Sequence, residues 1–552
     1  MKQNTIYTFL IFFSLIAYTH YDYVLAAHKE IEGPLIIAMS ICNVSIDAAI
    51  MTFISSLARK RWYHELVAVT LWLFCMMNVL YLRHFETYID ITLAGELRNA
   101  DILGESILAL ATWRDAVASL LYFAAIALTE WRMPQASKGY YMLGVAAMAF
   151  VGLYGLIAKG TRCSFLEALN FMDERLVSDS YHRGFQMGFA HYIGYDLSRV
   201  NVKREITKED EEMFARLKPT IASSMISPEE AMPAGKRNVV FILMEGILSE
   251  AMTKVCDGDT VMPNLRAIAD SARYCNLNME SETNIGWSSD GQLIYMTGML
   301  PHSDKNTVNH FTHNTFPGLG TVCKSLGMQT VMLLPTGKHI WRQEDMCAGY
   351  GIDSLYTTVE VGQDDDDRLV DSAISLLDKV KGKPFFLTVL NISTHTPFTN
   401  GFNRSLKEFH EKGLPDDKKT YYEMSNFWDV QLGRFVQALK DKGLWDETLV
   451  VIASDHHLGL WMEGNKREKI PFIITGGYRS PLLPKRVESK DMIYQSDFYP
   501  TLLALLGVRQ EWTGVGRNLF SESARRVPEA DKQKFADMIL ETNWFAKIKQ
   551  KQ

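Results

Sequence analysis

The feature that most constrains this chain is a series of five long apolar stretches within its first 160 residues. They lie at 5–26, 34–57, 64–82, 108–130 and 140–158. Each is close to the roughly 20 residues that an α-helix needs to cross a bilayer. One such stretch can be a core helix of a soluble protein, but five in succession indicate a membrane unit. We therefore predict an all-α, five-helix transmembrane domain over residues 1–160.

Positive charges between these stretches predict their orientation. The short loops around 59–61 (RKR) and around Arg132 and Lys138 are basic, and short basic loops favour the cytoplasmic side. The first stretch is too long for a signal peptide, and no small-residue cleavage site follows it closely. Five spans then place the N-terminus inside and everything after Lys159 outside.

Several polar residues fall within the apolar stretches, namely Asp22, Asn43, Asp47, Arg114 and Asp115. Ionisable residues inside a membrane are costly and often functional. Arg114 and Asp115 lie near the end of a stretch, where snorkelling or mutual pairing is sufficient to satisfy them.

From residue 238 onward, apolar strands alternate with helical segments. The predicted strands are 238–244, 329–334, 385–391, 448–454 and 470–475. The predicted helices are 262–273, 317–326, 366–381, 419–442 and 496–507. This alternation predicts an α/β domain with a mostly parallel central sheet and helices on both faces.

The same patterns predict the domain boundaries. Residues 161–237 are expected to form an amphipathic helical linker, with helices near 164–172 and 209–217. Residues 238–522 are the expected extracytoplasmic catalytic domain, and residues 523–552 a helical C-terminal tail.

An acidic run at 364–367 (DDDD) precedes one predicted helix. Such a run is typical of a helix N-terminus, where carboxylates meet the positive end of the helix dipole. It lacks the interleaved ligands of a calcium loop, so the helix start is the favoured interpretation.

Four cysteines, Cys256, Cys275, Cys323 and Cys347, fall in the soluble part. Disulfides persist in oxidising compartments, so 256–275 and 323–347 are possible bridges outside the cytoplasm. Four unpaired thiols are the alternative, because three connectivities exist and spacing alone does not choose among them.

Two predicted strands deliver acidic and imidazole side chains at their ends. The strand 448–454 is followed by Asp455 and His456, and the strand 238–244 is followed by Glu245. In open α/β sheets, ligands gather outside the carboxyl ends of the strands. Two carboxylates and one imidazole at that edge indicate a divalent-metal site.

A hydroxyl-bearing turn, 284–291 (NIGWSSDG), lies between these two strands in the sequence. A serine beside a divalent cation loses its proton more easily, so Ser288 or Ser289 could attack a phosphorus or sulfur centre. An ordinary turn is the alternative interpretation of the same residues.

These motifs together resemble the alkaline phosphatase and sulfatase superfamily, and within it the membrane-embedded lipoteichoic acid synthase and phosphoglycerol transferase group. The matching segments are 238–245 (NVVFILME), 286–290 (GWSSD), 341–346 (WRQEDM), 394–398 (THTPF), 454–456 (SDH) and 497–503 (DFYPTLL). Five spans followed by an outside catalytic domain is also the architecture of that group, so the resemblance covers nearly the whole chain.

The resemblance implies roles for individual residues. The metal-binding and nucleophile positions of the family match Glu245, Ser288, Asp455 and His456, with serine where the family more often has threonine. His395 matches a histidine that contacts the transferred group or the leaving oxygen.

The head-group pocket of the family matches this chain less closely. Its tryptophan corresponds to Trp341, but its arginine is displaced by one position to Arg342. His339 is the candidate replacement for an upstream histidine of that pocket.

The function implied by the resemblance is metal-dependent phosphotransfer through a phosphoserine. A phosphoglycerol or related head group would move from a membrane phospholipid donor to an envelope glycan or lipid acceptor, and no nucleic-acid partner is implied. The expected location is the bacterial inner (cytoplasmic) membrane, multi-pass, with the catalytic domain extracytoplasmic.

Three alternatives are a phosphoethanolamine transferase, a phosphodiesterase or sulfatase-type hydrolase, and a degenerate sensor or scaffold. Sulfatase chemistry is disfavoured, because the serines at 288–289 are followed by Asp290 and Gly291 rather than by the proline and arginine of sulfatases. The sensor is disfavoured because all four residues at the metal-binding and nucleophile positions, Glu245, Ser288, Asp455 and His456, are present.

The expected cofactor is one divalent metal. An oxygen-rich ligand set favours manganese or magnesium, and zinc is compatible with the same ligands. A second metal at His457 is not expected, because adjacent residues at the end of a strand point to opposite sides. His457 should therefore point away from the metal bound by His456. His302, His310 and His313 fit no fixed metal motif and are expected to be solvent-exposed.

Overall fold

In the computed structural model the chain divides into two compact units, Met1–Asn201 and Val202–Gln552. Apart from a few isolated positions, the structure describes residues 3–27, 34–58, 60–85, 110–132, 139–161, 203–227, 238–303, 305–338, 340–358, 366–396, 406–461 and 467–551. Most of the predicted helix near 164–172 therefore lies outside the described residues.

The first unit is helical throughout its described part. Its long helices are α1 (Gln3–Ala27), α2 (Pro34–Ser55), α3 (Arg61–Phe85), α4 (Trp113–Arg132) and α5 (Tyr141–Thr161). They coincide with the five predicted stretches, and α1 packs against α2, α3 and α4. Among the described residues, two segments, Ile37–Ser55 and Arg61–Arg83, are long and apolar enough to cross a membrane. The helical unit is confirmed, and the five-span topology stays a prediction.

Two acidic side chains inside this unit, Asp47 and Asp115, accept hydrogen bonds from specific partners. The carboxylate of Asp115 accepts hydrogen bonds from the Arg83 guanidinium at 2.7 and 2.9 Å and from the Tyr18 hydroxyl at 2.6 Å. Its ion-pair partner is therefore Arg83 and not the adjacent Arg114. Asp47 accepts from the backbone N–H groups of residues 189 and 190, at 2.7 and 2.8 Å.

The second unit begins with α6 (Lys208–Ala222), which the linker pattern predicted. A capping box starts this helix, in which the Thr207 hydroxyl accepts from the N–H of Asp210 and the Asp210 carboxylate accepts from the N–H of Thr207. Such reciprocal bonds satisfy two backbone donors that the first helical turn leaves free.

The central sheet of this unit is mixed and mostly parallel. The strands are β1 (Asn238–Met244), β2 (Val255–Cys256), β3 (Asp259–Thr260), β4 (Tyr274–Glu280), β5 (Gln329–Leu334), β6 (Ser354–Thr357), β7 (Phe385–Leu390), β8 (Thr448–Ser454), β9 (Ile470–Thr475), β10 (Val487–Ser489) and β11 (Ile493–Tyr494). The order is β10-β4-β9-β8-β1-β7-β5-β6, with β11 also on β4, while β2 and β3 form a separate hairpin. Only β9 runs antiparallel to its neighbours β4 and β8 among the described strands of this sheet.

Helices and three short 3₁₀ helices (Ile340–Arg342, Trp445–Glu447 and Gln495–Asp497) surround this sheet in the described part of the chain. The helices are α7 (Ser249–Thr253), α8 (Pro263–Ser271), α9 (Ser288–Thr297), α10 (Thr307–Phe311), α11 (Leu319–Ser325), α12 (Gln343–Tyr350), α13 (Asp366–Val380), α14 (Asp416–Asp441), α15 (Phe498–Leu505), α16 (Glu529–Thr542) and α17 (Trp544–Lys551). Every residue of β1, β7 and β8 is buried, as expected for strands of a parallel sheet that is covered on both faces.

The two possible disulfides are not formed. Cys256, Cys275, Cys323 and Cys347 are all free and buried. The Cys347 thiol lies 3.3 Å from the sulfur of Met332, within the core. The alternative of four unpaired thiols is therefore the correct one.

Candidate metal and nucleophile site

The two central strands β1 and β8 end side by side, and this places the acidic residues together. Met244 is in register with Ser454, so the next residues, Glu245 and Asp455, leave the sheet at the same level. The turn after β1 contains Gly246 at φ +57°, where an added Cβ would lie 2.7 Å from Leu458. The N–H of Gly246 donates to Asp455 Oδ1 at 2.9 Å, which fixes one side of that carboxylate.

Glu245, Asp455 and His456 form a compact set of ligand atoms. One ligand atom from each lies within 4.8 Å of the others, and all three residues are buried. His456 Nε2 is 3.1 Å from Glu245 Oε1 and 3.6 Å from Asp455 Oδ2. Asp455 Oδ2 is buried and has no hydrogen-bond partner in the described part of the chain. A buried acceptor without a donor is costly, and a cation bound at this position would satisfy it.

The orientation of the His456 ring also suits a metal. Its Nδ1 lies 2.6 Å from the carbonyl oxygen of His457, which can only accept, so Nδ1 carries a proton. Nε2 then points its lone pair at the carboxylates, as the ligating nitrogen of a metal-bound histidine does.

The electrostatics of the three residues favour a positive charge among them. Burial and the nearby charge of Glu245 raise the pKa of Asp455 well above its ordinary value. Burial lowers the pKa of His456, but the two carboxylates outweigh burial and raise it to about 9. Burial would raise the pKa of Glu245, yet the positive charge of His456 holds it below its usual range. The carboxylates of Glu245 and Asp455 and the imidazole of His456, together with the hydroxyl of Ser288, therefore fit one divalent cation.

Ser288 is the serine that faces this ligand set. Its hydroxyl donates to Glu245 Oε2 at 3.0 Å and lies 3.2 Å from His456 Nε2. Ser289 instead is buried and donates to the carbonyl of Gly286 at 2.7 Å. The turn motif alone left the two serines open, and the geometry puts Ser288, the position that the resemblance also implies, beside the ligand set.

Ser288 is also the first residue of α9, and its backbone setting favours developing negative charge. The positive end of a helix dipole stabilises anions at a helix N-terminus. The preceding residue, Trp287, has φ 42° and ψ −109°, a conformation rare for a residue with a side chain. Such strain is typical of functional sites that the surrounding structure holds in place.

Asp290 holds the loop before Ser288, a role that the sequence did not reveal. Its Oδ2 accepts from the N–H groups of Asn284 at 2.9 Å and Gly286 at 2.8 Å. Burial raises the pKa of Asp290 to about 7 in spite of these donors. Gly291 allows α9 to approach β8, since an added Cβ would lie 2.3 Å from the carbonyl oxygen of Asp455.

His395 lies in the loop that follows β7, the other neighbour of β1. Its Nδ1 is 2.6 Å from the carbonyl oxygen of Thr396, and its charge is among the groups that lower the pKa of Glu245. The predicted substrate histidine is therefore at the same edge of the sheet as the ligand set.

Trp341 and Arg342 form a turn beyond the end of β5. Both have left-handed backbone conformations, with φ 48° and 51°. The Arg342 guanidinium donates to Asp345 Oδ2 at 3.0 and 2.7 Å and lies 3.4 Å from His313 Nε2. His339 lies outside the described residues.

Of the three histidines that were expected to be solvent-exposed, His302 is instead buried. His302 is 1% exposed, lies 3.3 Å from Glu541 Oε1 and stacks on Phe311, so the prediction of a solvent-exposed side chain is wrong for it. No group of metal-ligating residues in the described part of the chain contains His302, His310 or His313. His457 packs against Trp287, with ring centroids 5.2 Å apart, and lies outside the ligand set.

Comparisons with known proteins agree with this fold. Residues 237–508 match the sulfatase family. The chain is 22% identical over 536 residues to lipoteichoic acid synthases of Staphylococcus aureus, covering 92% of this chain and 82% of those proteins.

The solved structures that are similar to this one include two bacterial enzymes. The integral membrane lipooligosaccharide phosphoethanolamine transferase A (EptA) of Neisseria meningitidis matches with a TM-score of 0.56 and 15% identity, over 95% of this chain and 98% of that one. The lipoteichoic acid synthase LtaP of Listeria monocytogenes matches with a TM-score of 0.50 and 18% identity, over 58% of this chain and 84% of that one. At these identities, the two structures support the fold.

Proposed function

We propose, since its residues 237–508 match the sulfatase family, that this chain is a metal-dependent phosphotransferase of membrane lipids. It would move a phosphoglycerol head group from a phospholipid to an envelope glycan or lipid. The observation that carries the proposal is the Ser288 hydroxyl, 3.0 Å from Glu245 and 3.2 Å from His456 within a set of metal-ligand atoms. The similarity to lipoteichoic acid synthases over 92% of the chain supports the choice of head group.

The proposed reaction has two displacements at phosphorus. In the first, the Ser288 hydroxyl loses its proton and its Oγ bonds to phosphorus, the bond from phosphorus to the diacylglycerol oxygen breaks, and that oxygen takes up a proton. In the second, an acceptor hydroxyl loses its proton and its oxygen bonds to phosphorus, while the bond to Ser288 Oγ breaks and Oγ takes up a proton. The serine hydroxyl is regenerated, so each turnover transfers one head group.

The residues at the site have distinct proposed roles. Glu245, Asp455 and His456 would hold one divalent metal, which lowers the pKa of the Ser288 hydroxyl and neutralises charge on the phosphoryl oxygens when bound. The N-terminus of α9 favours negative charge on Ser288 Oγ. His395 is proposed to hold a proton near the leaving oxygen.

Two serine variants provide the direct test. In proteoliposomes that contain head-group-labelled phosphatidylglycerol, Ser288→Ala is expected to abolish the release of diacylglycerol. Ser289→Ala is the matched control, because Ser289 donates to Gly286 and not to the ligand set. Its activity should stay within about tenfold of the parent, since the substitution removes one ordinary hydrogen bond. Release of diacylglycerol by Ser288→Ala at the parent rate would refute the assignment.

A phosphoethanolamine head group is the second candidate. The structural similarity to the phosphoethanolamine transferase EptA covers 95% of this chain, whereas the similarity to the lipoteichoic acid synthase LtaP covers 58%. Rates on phosphatidylglycerol and phosphatidylethanolamine, measured side by side, distinguish the two donors.

A hydrolase differs from a transferase only in the acceptor, since water would then attack the phosphoserine. Mass spectrometry of envelope glycans and lipids from cells with and without the protein separates the two outcomes. A modified acceptor that depends on Ser288 supports transfer, and its absence together with free glycerol phosphate supports hydrolysis.

A further inference from the structure

We propose that Asp366 is a positioning residue for the metal ligand Glu245, acting through the loop at 391–394. The inference rests on the proposed function only in that it concerns the same metal site. Asp366 belongs to the acidic run that the sequence pattern assigned to a helix start, and it does begin α13. Its carboxylate, however, is bound by a different segment of the chain.

Both oxygens of Asp366 accept hydrogen bonds from the loop after β7. Oδ1 accepts from the N–H of Ile392 at 3.0 Å, and Oδ2 accepts from the N–H of Ser393 at 3.1 Å. Oδ2 also accepts from the side-chain amide of Asn391 at 3.2 Å. Asp366 is 0% exposed, so these three donors replace the water that it would otherwise bind.

The same loop holds the main chain of Glu245 on both sides. Asn391 Oδ1 accepts from the N–H of Glu245 at 2.8 Å, and the Thr394 hydroxyl donates to the carbonyl oxygen of Glu245 at 2.5 Å. The Asn391 amide also donates to Thr394 Oγ1 at 3.2 Å. Asp366 therefore fixes the amide orientation of Asn391, and Asn391 and Thr394 fix the peptide units around Glu245.

This connection matters because Glu245 follows the end of β1, where the ladder hydrogen bonds of the sheet stop. A metal ligand must be held within about 0.5 Å of its productive position by the groups behind it. Removal of such an outer partner commonly costs about 10- to 100-fold in metal affinity or activity. Here the outer partners are Asn391 and Thr394, and Asp366 orders both through one loop.

An isosteric variant, Asp366→Asn, tests the inference. Its amide group would face the N–H of Ile392 or Ser393 and the amide of Asn391, so one donor in the loop loses its acceptor. The full-length protein in detergent, first treated with a chelator, is titrated with Mn²⁺, and free Mn²⁺ is followed by electron paramagnetic resonance. We expect at least a tenfold weaker affinity for Mn²⁺ than in the parent protein, with activity recovered at high Mn²⁺.

The matched control is Asp371→Asn on the same helix. Asp371 is exposed and pairs with Arg434 at 2.6 Å on the surface, a kind of ion pair that contributes little. Its Mn²⁺ affinity should equal that of the parent protein. Thr394→Val, which removes the donor to the Glu245 carbonyl at nearly constant volume, should weaken Mn²⁺ binding as well and gives a second test if Asp366→Asn does not fold.

A double-mutant cycle tests the route. If Asp366 acts through Asn391, the loss of affinity in Asp366→Asn with Asn391→Ser should be smaller than the product of the two separate losses. Parent Mn²⁺ affinity in Asp366→Asn, or full multiplicativity in the double variant, would overturn the inference. Lipid transfer by the parent protein is measured in the same preparations, so a failure of the proposed function shows as absent transfer while the metal titration still decides the role of Asp366.

Discussion

At the scale of single residues, the site combines side chains that contact one another with side chains that only hold their neighbours in place. Ser288, Glu245 and His456 are mutually within 3.2 Å. Asp290 does not touch the ligand set, and instead holds the backbone of the loop that precedes Ser288. The geometry of the site therefore depends on residues of both kinds.

Removal of the metal should abolish activity, and the choice of metal can be tested. Two carboxylates and a serine oxygen make the site hard, which favours Mn²⁺ or Mg²⁺ over Zn²⁺. After chelation and dialysis, we expect Mn²⁺ to restore lipid turnover and Zn²⁺ not to restore it. Restoration by Zn²⁺ alone would contradict this choice of metal.

Arg342 is predicted to bind the donor head group. In the structure its guanidinium donates two hydrogen bonds to the Asp345 carboxylate. A phosphate or glycerol hydroxyl of the donor would therefore have to replace that carboxylate as the partner of Arg342. Arg342→Ala should weaken the use of the donor by about 1.5–3 kcal/mol, the value of a hydrogen bond to a charged group. The measurement is kcat/KM on a panel of lipids, with unchanged Mn²⁺ affinity as the internal check. Arg434→Ala, a surface ion-pair variant, is the control, and identical kinetics for Arg342→Ala on every lipid would remove this residue from the site.

Sequence patterns found the residues that meet at the site but not those that support them. Glu245, Asp455 and His456 each follow a buried apolar strand, and that context makes a polar residue conspicuous. Asn391 and Thr394 also follow a strand, but amides and hydroxyls are common in loops, and their bonds to the main chain of Glu245 depend on three-dimensional contacts. Asp366 was noticed, yet its partners lie 25–27 positions away in the chain.

At the scale of secondary-structure elements, the buried apolar strands were predicted well, whereas β4 and the short strands β6, β10 and β11 were missed. β1, β5, β8 and β9 have the predicted bounds, because a strand covered on both faces is a continuous apolar run. β4 (YCNLNME) alternates polar and apolar residues and has a register shift against β9. β6, β10 and β11 have two to four residues each, too few to produce a pattern.

The start of α6 predicts a pH-dependent contribution to stability. Burial raises the pKa of Asp210, but hydrogen bonds from Arg204 and from Thr207 outweigh burial and lower the pKa from 3.8 to about 2. A carboxyl group whose pKa is depressed by folding stabilises the folded state above its ordinary pKa, and this contribution is lost as the pH falls from about 4 to about 2.

Asp210→Asn should therefore lower the free energy of unfolding by about 1 kcal/mol at pH 7, the usual value of a helix cap. The difference from the parent protein should shrink as the pH falls towards 2. Thermal unfolding of the detergent-solubilised full chain, measured from pH 7 downward, checks this. A difference that stays constant over the whole range would show that the ion pair with Arg204 does not contribute.

At the scale of the whole molecule, the chain combines a helical unit with an α/β unit whose residues 237–508 match the sulfatase family. The composition of residues 1–160 predicted the helical unit, and strand–helix alternation predicted the α/β domain. The orientation of the helical unit in the membrane is a prediction from loop charges alone. Positively charged residues in short loops favour the cytoplasmic side and so determine topology.

That orientation can be tested with protease sites. A site inserted at 59–61 should stay protected in intact spheroplasts, because this basic loop is predicted to be cytoplasmic. A site inserted in the segment 83–107, which lies between the third and fourth apolar stretches and carries Glu86, Asp90, Glu96 and Asp101, should be cleaved. Five spans with the N-terminus inside would place this segment outside. Protection of both sites, or cleavage of the first alone, would show that the predicted orientation is wrong.

The four buried thiols of the second unit have a consequence for how the protein can be made and handled. Burial raises the pKa of Cys323 and Cys347 to about 12 and of Cys256 and Cys275 to about 11, so little reactive thiolate is present at neutral pH. Because no crosslink joins them, this unit can reach its native state without an oxidase or an isomerase. Dithiothreitol in a purification buffer then protects the thiols and breaks nothing, and a reducing cytosol is as suitable a place for this unit to fold as the cell envelope.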